Sequence, residues 1–306
     1  MNYPVIPSIP FVRSLKKCIF SIGILLCSSA FVKSQNNRFT FSTGAVINEN
    51  DFSWSIAGNL QGQSPNVLSE LHFNNITSLG FYLSGTYSPV KCLRLDAYYQ
   101  RNGVISGSGE DTDYKGDDRT DPTFQQPFSS NKGYLEVLRI GAKAIFLQRG
   151  TFSLGAGAAY KSAKQSFAIL SPELTDLRST YTAKWRGPAF SVEGNYVINH
   201  SFSVGADITY AVISYRGEAN WNLIDIFMQP LSFAQTARGH GMDYSIKFRY
   251  SANDFLSFSL DGMFGNTRVF QGTDISYLRN GMQLSTQFNG SRNDYYGARL
   301  GATVQF

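Results

Sequence analysis

Met242-Asp243-Tyr244-Ser245-Ile246-Lys247-Phe248-Arg249-Tyr250 alternates without a break. Met242, Tyr244, Ile246, Phe248 and Tyr250 take one side, and Asp243, Ser245, Lys247 and Arg249 take the other. A helix would scatter these residues round its axis, whereas the period of two in a strand sorts them onto opposite faces. One face is apolar and the other charged. The stretch reads as a strand between an apolar medium and a polar interior.

The same sorting recurs down the chain. Phe202, Val204, Ala206, Ile208 and Tyr210 oppose Ser203, Gly205, Asp207 and Thr209. Tyr296, Ala298, Leu300, Ala302, Val304 and Phe306 oppose Gly297, Arg299, Thr303 and Gln305. The pattern predicts about ten strands, near 38–47, 68–86, 92–105, 133–148, 151–169, 182–198, 201–216, 240–252, 255–270 and 293–306. Short turns at 87–91, 149–150, 199–200 and 252–254 alternate with long polar loops near 48–67, 106–132, 170–181, 217–239 and 271–292. Short connections at one end and long ones at the other suit an outer-membrane barrel with periplasmic turns and external loops.

The polar faces carry Arg94, Asp96, Arg139, Lys143, Glu193, Asp207, Asp243, Lys247, Arg249, Asp261 and Arg299. In a soluble sandwich the apolar faces would need a core partner, and no helical sequence supplies one. Lipid is the simpler partner. The expected fold is all-β: one transmembrane, antiparallel, up-and-down barrel of about ten strands, with both termini periplasmic. A barrel of that size is narrow, and its nearly balanced interior charges favour a filled lumen over a small diffusion channel. The terminal aromatic Phe306 is the signal expected for the barrel-assembly machinery.

Composition agrees. Only 16% of the 306 residues are charged and 14% are aromatic, which excludes disorder, a coiled coil and a disulfide scaffold. The formal charge of +5 owes four units to Arg13, Lys16, Lys17 and Lys33, so it does not point to nucleic acid. Those residues flank the apolar run Cys18–Ala30, which reads as a secretory signal peptide. Cleavage after Ala30 or after Ser34 fits the small residues there. The domains are then a signal peptide over 1–34 and a barrel over 35–306. With Cys18 and Cys27 removed, the mature chain is expected to fold without an intramolecular disulfide.

Function belongs on the long loops of such a scaffold. In 106–132, Asp111, Asp113 and Gly116 occupy the first, third and sixth places of a calcium loop. Lys115 stands at the fifth, where an oxygen ligand belongs, and no Glu closes the loop. Asp111, Asp113 and Asp117 are therefore weak metal candidates, Ca²⁺ is disfavoured, and no cofactor is expected. A solvated acidic surface binding a cationic ligand or partner is the simpler reading.

The order and length of strands and loops across the mature chain resemble those of the omptins, a family of outer-membrane proteases. Leu68-Ser69-Glu70-Leu71-His72-Phe73-Asn74-Asn75 resembles the second strand of that family, and Asp111-Thr112-Asp113-Tyr114 resembles its Asp-x-Asp-Trp motif. Tyr160-Lys161-Ser162-Ala163-Lys164-Gln165-Ser166-Phe167 resembles the strand carrying part of its lipopolysaccharide site.

The resemblance implies that Asp111 and Asp113 form the first catalytic pair, facing an Asp–His dyad across a cleft and cleaving near basic residues. Water activation there needs a base near neutral pKa. Counting along the seventh predicted strand places Asn220 and Asn222 at the dyad; matching the later Asp-x-x-x-x-Pro segment gives Asp225 and Phe227. Neither pair contains a histidine. His240 is a rim residue and a remote substitute. The resemblance also implies lipopolysaccharide contacts at Tyr160 and Lys164, although Ser162 stands where an acid is expected. Lys184, Arg186 and Arg238 add positive charge suited to phosphorylated lipid. The expectation is a surface barrel that has lost the protease dyad and binds a ligand or partner; a divergent endopeptidase is the alternative.

Overall fold

The computed structural model describes residues 38–306. The expected signal peptide over 1–34 lies outside the described residues.

Ten strands close into an antiparallel barrel: β1 (Phe39–Ile56), β2 (Ser69–Val90), β3 (Leu93–Tyr114), β5 (Gly133–Arg149), β6 (Phe152–Ile169), β7 (Ser179–Val197), β8 (Phe202–Asn220), β9 (Phe233–Ser251), β10 (Leu256–Val269) and β12 (Gln283–Gln305). Each pairs with its neighbour, and β1 pairs with β12 to complete the ring. Two shorter strands were not expected. β4 (Pro122–Ser129) adds to β3 within the 106–132 segment, and β11 (Gly272–Tyr277) bridges β9 and β12. The connection at 115–121 contains a short 3-10 turn, Asp117–Arg119.

Two rings of outward aromatics mark the lipid band. At the short-turn end, Phe39 stacks on Tyr87 at 4.5 Å, Phe202 meets Tyr250 at 5.2 Å and Phe255 meets Phe306 at 5.6 Å. At the loop end, Tyr244 stacks on Phe264 at 4.6 Å, with Tyr210 and Tyr296 exposed at similar depth. Between the rings, Leu83, Ile140, Phe190, Val192, Phe248, Leu260 and Leu300 point outward and are exposed. Aromatic girdles flanking an apolar band are how such barrels sit in a bilayer.

Most of the interior charges expected from sequence pair inside the band, whereas Asp96 accepts from the Thr86 hydroxyl at 3.0 Å and Arg139 lies over the Tyr98 ring. Glu193 holds Arg94 at 2.8 Å and Lys143 at 2.7 Å, and Lys143 also reaches Asp207 at 2.9 Å. Asp261 holds Arg299 at 2.9 Å and Lys247 at 3.6 Å. Lys161, which the pattern had not singled out, pairs with Asp243. Cys92 lies in the turn between β2 and β3.

Past the loop-end girdle the strands continue, and their polarity inverts. Phe52, Trp54, Leu71, Phe73, Tyr181 and Phe233 now point inward and are buried, while Ser53, Ser55, Glu70 and His72 share the outward register. With no lipid at this height, apolar side chains gain by turning inward, as in a soluble protein. This inversion corrects the sequence limits for β1 and β3, which were read as ending near 47 and 105. The aromatic layer crosses the lumen: Phe52 on β1 meets Phe167 on β6 at 6.2 Å and Tyr181 on β7 at 5.5 Å, and Tyr215 on β8 stacks on Phe288 of β12 at 5.6 Å.

Candidate functional site

The site lies in the part of the barrel above the loop-end girdle. Asp111 and Asp113 are not in a loop. They sit near the end of β3, opposite Leu71 and Ser69 of β2, and both face the interior. Burial, together with the neighbouring charge of Asp113, raises Asp111 to about 7, and the indole N–H of Trp221 pulls the other way. Asp113 is raised as well, chiefly by burial, with Ser69 opposing. Asp117 does not join them. It lies in the 3-10 turn, where its carboxylate accepts the Asn66 N–H at 2.7 Å. The calcium spacing therefore dissolves into an extended strand and a turn. No group of three or more metal-binding side chains is found among the described residues.

The residue facing Asp111 is Trp221, one position from Asn220 and from Asn222 and four from Asp225. Tyr215, Gly217 and Ala219 point inward on β8, and Trp221 continues that side. Asn220 falls on the opposite register, paired with Thr180. Asn222 is a clamp between loops. Its Oδ1 accepts from the Arg178 N–H at 2.8 Å and the Ser179 hydroxyl at 3.0 Å, and its amide donates to the Asp176 carbonyl at 2.7 Å. Asp225 is exposed and pairs with Arg279 at 3.3 Å, while Phe227 bridges to Leu278. His240 faces outward, stacked on Tyr210 at 6.0 Å. An indole donates and accepts no proton, so the position opposite Asp111 holds no base.

A second buried acid was missed. Asp274 on β11 is opposite Gln235 of β9 and is only 1% exposed. Burial raises it to about 7, with the Gln235 amide opposing. The Tyr181 hydroxyl donates to Gln235 Oε1 at 2.5 Å and meets the Tyr215 hydroxyl at 2.5 Å. Trp221 packs on Phe233 at 4.9 Å, and Phe233 on Trp54 at 5.6 Å, so aromatic rings fill the space beside both acids. Thr273-Asp274-Ile275-Ser276 falls in the segment expected as a long loop, where the structure instead forms β11.

The five residues implied in lipid contact share the outer face. Tyr160 is 56% exposed, and Lys164 lies over the Tyr134 ring at 5.0 Å. Lys164 is opposite Lys184, which is held by Glu218 at 2.5 Å. Arg186 and Arg238 flank Ser214 in register.

The family described as Pom, Protochlamydia outer membrane protein, matches residues 146–306, more than half of the chain. The chain belongs to the Pom family. The matched part of this Pom barrel runs from the end of β5 to β12. The outer membrane protease OmpT from Escherichia coli is similar in structure, with a TM-score of 0.70 and 14% identity over 91% of this chain and 100% of that one. At that identity the likeness speaks for the barrel and not for the chemistry. The translocator domain of the autotransporter NalP from Neisseria meningitidis gives a TM-score of 0.41 at 9% identity, covering 96% of this chain and 98% of that one. The outer membrane protein OprG from Pseudomonas aeruginosa gives 0.37 at 9%, covering 88% and 96%. No curated protein matches this Pom chain.

Proposed function

We propose that this outer-membrane barrel is a non-proteolytic surface protein whose loop end faces the cell exterior and binds a cationic ligand or partner at Asp111 and Asp113. The observation that carries the reading is Trp221 opposite Asp111. Hydrolysis of a peptide bond needs a group that takes a proton from water, and general bases must lie within hydrogen-bond reach of it. The indole cannot do so, Asn222 is committed to holding two loops, and His240 is on the lipid side. Two neighbouring carboxyls whose negative charges disfavour one another are relieved by a cationic group brought to them.

Lipopolysaccharide is the proposed lipid on the outside of β6, β7 and β9, against Tyr160, Lys164, Lys184, Arg186 and Arg238. Guanidinium and ammonium groups near an aromatic girdle suit its phosphates.

The test is incubation of refolded barrel, with lipopolysaccharide, with peptides containing paired basic residues, read by mass spectrometry. Bound but intact peptide is expected. Cleavage that disappears in Asp113→Asn would establish the divergent endopeptidase instead.

A further inference from the structure

We infer a second anionic-lipid site on the exterior of β9, β10 and β12, built from Arg268, Arg292 and His240. The cross-strand register sets Arg268 directly opposite both Arg292 and His240. Directly opposed residues of an antiparallel pair carry their Cβ atoms about 5 Å apart, and like charges so placed repel. Arg292 is paired only with Asp294 of its own strand, and Arg268 has no acidic partner among the described residues. Both guanidiniums are exposed; Asp294 is taken up by Arg292, and Asp51, opposite Asp294 on β1, accepts from the Asn75 N–H, which leaves the Arg268 guanidinium to be met from outside.

Depth says what meets it. His240 is stacked between Tyr210 at 6.0 Å and Phe270 at 5.4 Å, and the stacked Tyr244 and Phe264 lie just below. These rings belong to the loop-end girdle, which places Arg268 and Arg292 at headgroup level. Two guanidiniums bind the oxygens of a phosphate in bidentate fashion, and an imidazole N–H adds a further donor. The occupant is a phosphate-bearing lipid headgroup of the leaflet at the loop end, its acyl chains running down the apolar band past Phe264 and Leu260. This surface adjoins that of Lys164, Lys184 and Arg186 through Arg238, two residues from His240 on the outward face of β9, but its guanidinium pair lies on β10 and β12.

The experiment uses detergent-purified barrel carrying Lys164→Ala, Arg186→Ala and Arg238→Ala, so that the two surfaces are not confused whatever the first one binds. Native mass spectrometry compares bis-phosphorylated lipid A with its dephosphorylated form. The phosphorylated lipid is expected to be retained and the dephosphorylated one lost. Adding Arg268→Ala and Arg292→Ala should lower affinity for the phosphorylated form about tenfold. Arg268→Lys, which keeps the charge and loses the fork, should fall between. Equal retention of the two lipids overturns the proposal without recourse to any further variant. So does competition by millimolar inorganic phosphate as effective as the lipid, since the site would then hold an adventitious anion only.

Discussion

Asp274 carries its proton far above the usual carboxylate range because its side chain is shut inside the layer of Tyr181, Tyr215 and Gln235. It titrates from 3.8 in the unfolded chain to about 7 in the fold, so between those values the fold binds the extra proton. The stability this contributes is present at low pH and lost as pH rises through about 7. Replacing the acid with a neutral isostere should remove that loss. Asp274→Asn is expected to raise unfolding stability at pH 8 by ~1–2 kcal/mol and to change it little at pH 4, measured by urea titration. A variant equally stabilised at both pH values would mean that the carboxyl is not the source.

At the scale of elements, the loop end is held by clamps rather than by packing against lipid. Asn222 ties the segment after β8 to the segment before β7, and Asn66 ties the segment before β2 to the 3-10 turn through Asp117 and Asp118. Asn222→Ala removes several hydrogen bonds at once. It should loosen 170–178 and 221–232 together by ~1–3 kcal/mol, seen as faster amide exchange in both while the girdled strands stay protected. Faster exchange in only one of the two loops would break the clamp argument. The same scale explains what the sequence revealed. The lipid-band strands were legible because apolar-out and polar-in is one rule applied throughout. Above the girdle the rule reverses, so Phe52 and Trp54 fall in an expected loop, and β4 and β11 lie in segments expected as loops. Asp111 and Asp113 were found by spacing, but counting along β8 set their partner one residue off, since nothing local distinguishes the side of Asn220 from that of Trp221.

For the whole molecule, two different fillings occupy one tube: ion pairs such as Glu193–Lys143 within the lipid band, and aromatic rings above it. Both fillings narrow the lumen, and wild-type barrel in planar bilayers is expected to show no discrete conductance steps. Steps of uniform size would reinstate the channel. The two regimes are joined on β2 at Asn75, whose φ of 53° and N–H bond to Asp51 at 2.8 Å insert one extra residue against β1. Leu71 and Phe73 thereby face inward, as do Ile76 and Ser78 on the other side of the insertion, although their numbering differs in parity. At this point the wall is sensitive to length more than to identity. Losing a single residue there would turn Leu71 and Phe73 to water and Glu70 and His72 to the core, whereas whole segments of the loops beyond could change without touching the wall.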